Sequence, residues 1–150
     1  MRREFRVLIV DDSVTIRAML DTIIATNVNF RAAWSAASCS EAKEILRRRR
    51  PDVVTLDINM PDMNGLDFLD EIMATRPLPV VILSSEAVFG DEICNEAIRR
   101  GAVTCFDKAD CVSDHKRLVR TLVEASEKRF TMKHPVQVMP TGRVNESFCS

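Results

Sequence analysis

The stretch that decides the fold lies near the middle of the chain and reads Val53-Val54-Thr55-Leu56-Asp57-Ile58-Asn59-Met60-Pro61. A short apolar run that is rich in β-branched residues and bounded by turn formers is typical of a strand buried on both faces. Pro61 has no backbone donor and cannot sit in a central strand, so the strand ends before it. Asp57 is therefore predicted to lie at the carboxyl end of a core strand, the edge at which open α/β sheets bind ligands.

Composition and charge narrow the classes of protein to which the chain can belong. Its 150 residues are enough for one compact domain, and the apolar and charged fractions (46% and 29%) are those of a soluble globular protein. A formal net charge of −1 gives no general attraction to nucleic acid or to an anionic membrane. The apolar runs are too short to span a bilayer, and the amino terminus lacks the layout of a signal peptide. We therefore expect a cytoplasmic protein that binds neither nucleic acid nor membranes.

Cysteine and histidine usage argues against a disulfide framework and against a zinc site. The chain has five scattered cysteines and two histidines, and no pair of cysteines has the spacing of a zinc ligand motif. Reduced thiols in a cytosolic protein are the simpler interpretation.

Outward from residues 53–57, apolar runs alternate with segments of helical periodicity. Strands are predicted at residues 5–10, 30–37, 53–57, 80–83 and 102–106, and helices begin near residues 13, 40, 66, 91 and 113. Ser13 and Ser40 are candidate helix N-caps. Five strands alternating with five helices predict a doubly wound parallel sheet with helices on both faces.

The periodic pattern ends near residue 131, where prolines, a glycine and polar residues follow. Too few apolar residues remain to build another domain. We therefore predict one domain over residues 1–130, and a tail or the start of a linker over residues 131–150.

Polar residues follow four of the predicted strands and should meet at one edge of the sheet. They are Asp11 and Asp12 after the first strand, Asp57 after the third, Ser84 after the fourth and Lys108 after the fifth. Three neighbouring carboxylates repel one another, and a hard cation with oxygen ligands, Mg²⁺ above all, relieves that repulsion. An ammonium group would balance the charge further, and a hydroxyl group could donate to an oxyanion.

This set of groups suits a phosphoryl group, because phosphoryl transfer needs mainly positioning and neutralisation of charge. An aspartate can itself be the nucleophile and form an acyl phosphate. Each acid alone would more often be a loop or cap residue, but five compatible groups on one edge favour a site that accepts phosphate on Asp57.

With these residues the sequence resembles the receiver domain of two-component response regulators over residues 5–128. The matching pieces are Asp11-Asp12, Asp57 with Met60-Pro61 and Gly65, Ser84, and Lys108. Within that family it most resembles the receiver of the chemotaxis methylesterase, on the segments 51–57, 65–69 and 79–85. The resemblance implies a flavodoxin-like sheet with strand order 2-1-3-4-5.

The resemblance also implies roles for the acids at this edge. Asp57 would take phosphate from a sensor histidine kinase. Asp12, Asp57 and the backbone carbonyl of Asn59 would hold Mg²⁺, and Asp11 would act through a water molecule. The chain would catalyse only its own phosphorylation and dephosphorylation.

Further roles implied by the resemblance concern the signal. Ser84 and Lys108 would bind the phosphoryl oxygens, while Asn59 and Glu86 occupy the positions at which the family tunes dephosphorylation. A downstream effector would read the face formed by the fourth helix, the fifth strand and the fifth helix. Phosphorylated chains could also pair as homodimers.

The sequence departs from the family pattern at two positions near the fifth strand. Ala109 follows Lys108 where the family usually has proline, which predicts a trans peptide bond and a shifted loop. The family's switch aromatic aligns with Cys105, whereas Phe106, one residue later, is predicted to point to the opposite face.

Alternatives to a phosphorylated signalling module follow from the same residues. An aspartate-nucleophile phosphatase of the haloacid dehalogenase kind wants an acid where Asn59 stands. A receiver-like scaffold that is never phosphorylated would agree with the altered switch position. No G-x-S-x-G serine motif occurs, so a methylesterase could be represented only by a regulatory fragment of a longer chain.

Overall fold

The computed structural model describes residues 4–85 and 92–133, with side chains described as far as residue 128. Within these residues five parallel strands form one sheet in the order β2-β1-β3-β4-β5, which confirms the predicted flavodoxin-like topology. The strands are β1 (Phe5–Val10), β2 (Phe30–Ala36), β3 (Val53–Asp57), β4 (Val80–Ser84) and β5 (Thr104–Asp107).

The described residues form six helices, so the predicted number of five is wrong. They are α1 (Val14–Ala25), α2 (Cys39–Arg48), α3 (Gly65–Thr75), α4 (Glu92–Arg99), α5 (Lys108–Ser113) and α6 (His115–Lys133). The predicted last helix, from about residue 113, corresponds to α6, and the short helix α5 precedes it.

The extra helix α5 exists because the chain can turn helical directly after β5. The Asp107 carboxylate is the N-cap and accepts a hydrogen bond from the Ala109 N–H at 2.9 Å. A proline at residue 109 could not donate that bond. The Lys108–Ala109 peptide bond is trans, as predicted, and Asp114 ends the helix before α6 begins. The residue that departs from the family pattern, Ala109, therefore supplies a donor to the cap of α5, whereas the shift of this loop relative to the family stays a prediction.

The core consists of two apolar layers, one on each face of the sheet. One layer joins α2, α3 and α4 to side chains of the sheet that include Val54 and Leu56. The other joins α1, α5 and α6 to the alternate side chains, including Val53 and Phe106. Cys105 packs against the first layer and Phe106 lies in the second, which confirms that these neighbours point to opposite faces.

Several predictions concern residues at the limits of the described chain. Helix α6 continues to Lys133, and residues 134–150 lie outside the described residues, so the tail stays a prediction. Glu86 also lies outside them. None of the four cysteines within the described residues forms a disulfide bond. None of the described helices has the length and apolar character required to cross a membrane.

Candidate functional site

The register of the sheet brings the predicted site residues together at the carboxyl ends of the strands. Asp57 is the last residue of β3 and pairs in register with Leu83, directly before Ser84 at the end of β4. Asp11 follows β1 immediately, and Lys108 follows β5. Oxygen atoms of Asp11, Asp12 and Asp57 all lie within 4.8 Å of one another. The predicted convergence of these groups is therefore what the fold shows.

A lysine ammonium group lies between two buried carboxylates at the centre of this edge. Nζ of Lys108 is 3.0 Å from Oδ2 of Asp11 and 3.0 Å from Oδ2 of Asp57. The side chains of the two acids are 1% and 4% exposed, whereas that of Lys108 is 21% exposed. Two nearly buried negative charges thus share one positive charge that still reaches solvent.

Burial and like charge set the protonation behaviour of the group. Burial raises the pKa of Asp57 above its ordinary value, and the neighbouring Asp11 raises it further, although Lys108 opposes both effects. Burial alone would lower the pKa of Lys108, but hydrogen bonds to Asp11 and Asp57 outweigh it and raise that pKa. The charged form of Lys108 is therefore favoured, whereas burial and the Asp11 charge disfavour the ionised form of Asp57.

Backbone donors orient the two buried carboxylates. Oδ1 of Asp11 accepts the Ser13 N–H at 2.8 Å, and Oδ1 of Asp57 accepts the Asn59 N–H at 3.1 Å. The Arg17 guanidinium of α1 donates to the Asp11 carbonyl at 2.6 Å, a contact that the sequence did not reveal. Ser13 caps α1 as predicted. In each of the two acids, Asp11 and Asp57, Oδ1 therefore binds a backbone N–H group and Oδ2 contacts Lys108.

Ser84 supplies a hydroxyl group whose hydrogen-bonding capacity is not used by the described residues. Its Oγ is buried and has no hydrogen-bond partner among them. A buried polar group without a partner is unfavourable, typically by about 1–3 kcal/mol. The hydroxyl lies on the same edge as Asp57 and would be satisfied by an oxyanion bound there.

The loop between β3 and α3, residues 58–64, is closed tightly at its base. The Gly65 N–H donates to the Ile58 carbonyl at 2.8 Å, and Asn59 and Asn64 form an antiparallel bridge. A Cβ atom at residue 65 would lie 2.6 Å from the Cα of Ile58 and 2.7 Å from the carbonyl oxygen of Asp57. Only glycine therefore allows the loop to return so close to the strand end.

Asp62, at the far side of this loop, is a structural residue that the sequence did not single out. Its carboxylate accepts hydrogen bonds from the backbone N–H groups of Cys39 and Ser40 at the start of α2. These bonds lower the pKa of Asp62. Ser38 is the N-cap of α2, so the prediction that Ser40 caps this helix is wrong. An aspartate in a turn gave no signal of a partner more than twenty residues away.

The donor set at this edge fits Mg²⁺. The three clustered carboxylates offer hard oxygen ligands, and Asp12 is exposed to solvent, which suits an ion that keeps several waters. A depression of about 540 Å³ lies beside them and is lined by Asp12 and residues 58–64. The exposed Asn59 lies in this lining, next to the acid that it helps to orient.

Comparison with known proteins agrees with this geometry. Residues 7–123 match the family model of the response regulator receiver domain. The protein-glutamate methylesterase/protein-glutamine glutaminase 1 of Rhizobium johnstonii is 43% identical over 103 residues, which are 69% of this chain and 30% of that relative. The chain thus spans less than a third of the length of this curated relative.

Two solved structures carry the same fold. The response regulator domain of Thermotoga maritima CheB has a TM-score of 0.72 and 32% identity, covering 81% of this chain and 98% of that one. In the structure of the P1 domain of CheA3 in complex with CheY6 from R. sphaeroides, the matching chain has a TM-score of 0.70 and 29% identity, covering 83% of this chain and 98% of that one. The resemblance to the methylesterase receiver is confirmed, and the chain belongs to the response regulator receiver domain family of two-component systems.

Proposed function

We propose that this receiver domain is switched by Mg²⁺-dependent phosphorylation of Asp57, with a histidine kinase as the phosphodonor. The observation that carries the proposal is the placement of Asp57, which is buried beside Asp11 and in contact with the Lys108 ammonium group. Because Lys108 already contacts Asp57, it is placed to neutralise part of the negative charge that an acyl phosphate on Asp57 would add.

The chemistry follows from the positions of these groups. A carboxylate oxygen of Asp57 attacks phosphorus, the phosphorus–nitrogen bond of the phosphohistidine breaks, and the histidine nitrogen keeps the electron pair and takes up a proton. Lys108 pairs with a phosphoryl oxygen, and the Ser84 hydroxyl, which has no partner among the described residues, donates to another. Both groups would therefore contact the new charge directly.

The metal-binding residues are those on the exposed side of Asp57. Asp12, Asp57 and the carbonyl of Asn59 would hold Mg²⁺, with Asp11 acting through water. When bound, the ion would supply positive charge that offsets the charge of the phosphoryl oxygens. The raised pKa of Asp57 comes first from burial and then from the charge of Asp11, and a bound cation would offset the repulsion between these two carboxylates.

A histidine kinase would dock where exposed apolar side chains flank the acid edge. Val14 at the start of α1 is 70% exposed, and Val112 in α5 is 49% exposed. Between these helices lies a mostly apolar groove of about 380 Å³, lined by Ala18, Met19, Thr22, Ile23, Val112 and His115. The complex of CheY6 with a CheA3 domain supports a partner of this kind.

The output face is proposed to include α4, β5 and α6, where an effector or a second copy would bind after phosphorylation. Phe106 is buried on the side of α6, and the Arg117 guanidinium lies 4.3 Å from its ring centroid. Helix α5 begins at Lys108 and precedes α6. A displacement of Lys108 would therefore be transmitted through α5 to α6. Size-exclusion chromatography of the phosphorylated protein tests the homodimer.

The decisive experiment is intact mass spectrometry with acetyl phosphate, in Mg²⁺ and in EDTA. The wild type should gain the mass of one phosphate only with Mg²⁺, and Asp57→Asn should gain none. Asp52→Asn, at the other end of β3, is the matched control and should behave as the wild type. No mass gain in a folded, Mg²⁺-binding wild type would favour the scaffold hypothesis, and steady hydrolysis of unrelated phosphate esters would favour the phosphatase.

A second candidate is the regulatory part of a longer chemotaxis methylesterase. The specific observation in its favour is the match to only 30% of the length of a methylesterase. The size and methylesterase activity of the protein isolated from its source cell test it. A native protein no longer than this chain would contradict it.

A further inference from the structure

A carboxylate outside the acid cluster connects the site loop to a neighbouring helix. The tip of the loop of residues 58–64 carries Asp62. Its Oδ1 accepts the Cys39 N–H at 3.1 Å, and its Oδ2 accepts the Ser40 N–H at 3.0 Å and the Ser40 hydroxyl at 2.9 Å. Both carboxylate oxygens are therefore directed at the first turn of α2, where free N–H groups and the helix dipole favour a negative charge.

The same loop is fixed at its base but not along its length by local bonds. The base is closed by the Gly65 N–H to the Ile58 carbonyl and by the bridge between Asn59 and Asn64. The bonds of Asp62, which lies beyond that bridge, connect the loop to α2. The same two elements also meet in a long contact of 4.0 Å between the Cys39 thiol and the Met63 carbonyl. The position of Asn59 thus depends on the base of the loop and on the anchor at its tip.

We propose that Asp62 is a positioning residue for the divalent cation: by binding the amino terminus of α2 it holds the loop in the conformation that presents Asn59 beside Asp57. This inference rests on the proposed function, since it concerns the same Mg²⁺ site. Asp62 does not touch the ion, because its oxygens face α2. Asp62 restricts the loop before the cation binds, so less conformational entropy is lost on binding.

The chain offers a matched control that separates positioning from simple helix capping. Ser38 caps the same helix, and its hydroxyl accepts the Glu41 N–H at 3.1 Å within that helix. Ser38→Ala therefore weakens the start of α2 without removing a bond to the loop. Ser40→Ala removes one of the three bonds to Asp62, and Asp62→Asn keeps an acceptor oxygen for one N–H group.

The experiment is calorimetric titration of the full chain with Mg²⁺ alone, together with its thermal unfolding. Asp62→Ala should weaken Mg²⁺ binding about tenfold, as is typical when a group that orients metal ligands is removed. Asp62→Asn and Ser40→Ala should give smaller losses in that order. Ser38→Ala should lower the unfolding temperature while leaving the Mg²⁺ affinity unchanged.

Amide hydrogen exchange in Mg²⁺-free buffer gives a second readout that needs no metal. Exchange of the Asn59 and Gly65 N–H groups should be faster in Asp62→Ala than in the wild type, and unchanged in Ser38→Ala. Equal Mg²⁺ affinity in the wild type and Asp62→Ala, or equal losses in Asp62→Ala and Ser38→Ala, would overturn the inference alone. A wild type that binds no Mg²⁺ would overturn the proposed function and this inference with it.

Discussion

Two aspartates at opposite ends of β3 have opposite relations to the fold. Asp52 precedes the strand, and its Oδ2 accepts the Arg6 N–H at 2.8 Å and lies 3.8 Å from Nε of the same arginine. Asp57 ends the strand, more deeply buried, beside the like charge of Asp11, and its pKa is raised by burial and by that charge. The folded protein therefore stabilises the Asp52 carboxylate through its bond to Arg6, whereas burial and the Asp11 charge offset part of the stabilisation that Asp57 gains from Lys108.

The same contrast holds more widely between the two ends of the sheet. At the end away from the acid cluster, cations pair with nearby acids or cap carbonyl groups: Arg100 contacts Glu96 at 2.8 Å and Asp70 at 3.1 Å, and Arg76 donates to the Leu46 carbonyl. At the acid edge, Lys108 contacts the two carboxylates of Asp11 and Asp57, and the third acid, Asp12, lies beside them without a contact to this lysine. The fold can therefore hold one edge of the sheet with unfavourable electrostatics, because contacts elsewhere in the domain stabilise the folded state.

The largest loss of stability is expected from Gly65→Ala, which strikes the acid edge through the backbone. The new Cβ would meet Ile58 and the Asp57 carbonyl at distances that no side chain tolerates, and relief requires the loop to move. Urea unfolding should show a loss of about 3 kcal/mol, at the upper end for overpacking. Mg²⁺ binding should weaken at the same time.

Gly101→Ala is the control for this change, since residue 101 lies beyond α4 at the opposite edge. Its φ of +116° disfavours a side chain, so this variant should also lose stability. Its affinity for Mg²⁺ should nevertheless be that of the wild type. An affinity that falls equally in both variants would mean that stability, and not the geometry of the acid edge, controls binding.

Removal of the shared cation should come next in size. Lys108→Met keeps the aliphatic chain but leaves Asp11 and Asp57 facing each other without compensation, which should lower the free energy of unfolding by about 2–3 kcal/mol in EDTA. Mg²⁺ should restore much of that loss, because it would replace the missing positive charge. The exposed Lys116→Met serves as the control, and a loss as large there would contradict the assignment of Lys108 to the two acids.

Much of the acid edge could be predicted from the sequence, for a simple physical reason. Each apolar run stops at a polar residue, as at Asp11, Asp57 and Ser84, and parallel strands bring such ends to one side of the sheet. The alternation of side chains along β5 likewise placed Cys105 and Phe106 on opposite faces without knowledge of the fold. These signals are local, and the parallel topology converts them into one site.

What could not be predicted depends on partners that are distant or that compete. Ser38 and Ser40 both suit a helix cap, and the structure uses the first as the cap and the second as a donor to Asp62. The sequence does not predict helix α5, because Asp107, directly after the predicted fifth strand, both ends β5 and caps the helix. In both cases the start of the helix is set by a hydrogen bond from a backbone N–H group to a capping side chain, Ser38 or Asp107. The periodicity of apolar residues does not reveal such a bond.

Asp52→Ala tests the contribution to stability of the carboxylate at the start of β3, which accepts a hydrogen bond from the Arg6 backbone. The change leaves the Arg6 N–H without the acceptor that it has in the structure, so the free energy of unfolding should fall by about 1–2 kcal/mol. Asp52→Asn retains an acceptor and should lose less. Phosphorylation should be unaffected in both, and a stability unchanged by Asp52→Ala would show that this carboxylate contributes nothing to the fold.

The smallest expected change is a gain in stability, and it tests directly whether the two aspartates of β3 differ as described. Asp57→Asn removes the charge that the acid edge disfavours, so in EDTA at neutral pH it should raise the free energy of unfolding by about 1 kcal/mol. Because the folded-state pKa of Asp57 lies above its ordinary value of 3.8, the wild-type carboxyl favours folding most at low pH. That contribution is lost as the pH rises through the folded-state pKa. The advantage of the variant should therefore shrink as the pH falls toward 3.8.

Mg²⁺ should reverse the order of the two proteins. At a concentration one hundred times the dissociation constant, a bound ion stabilises the wild type by about 2.7 kcal/mol, more than the variant gained by losing its charge. Asp57→Asn, with one ligand neutralised, should respond much less. Urea unfolding at neutral pH with and without Mg²⁺ would show the two curves exchanging places. If the variant were the less stable protein in EDTA, the Asp57 carboxylate would be as well stabilised as that of Asp52, and the proposed phosphorylation of Asp57 would need another physical basis.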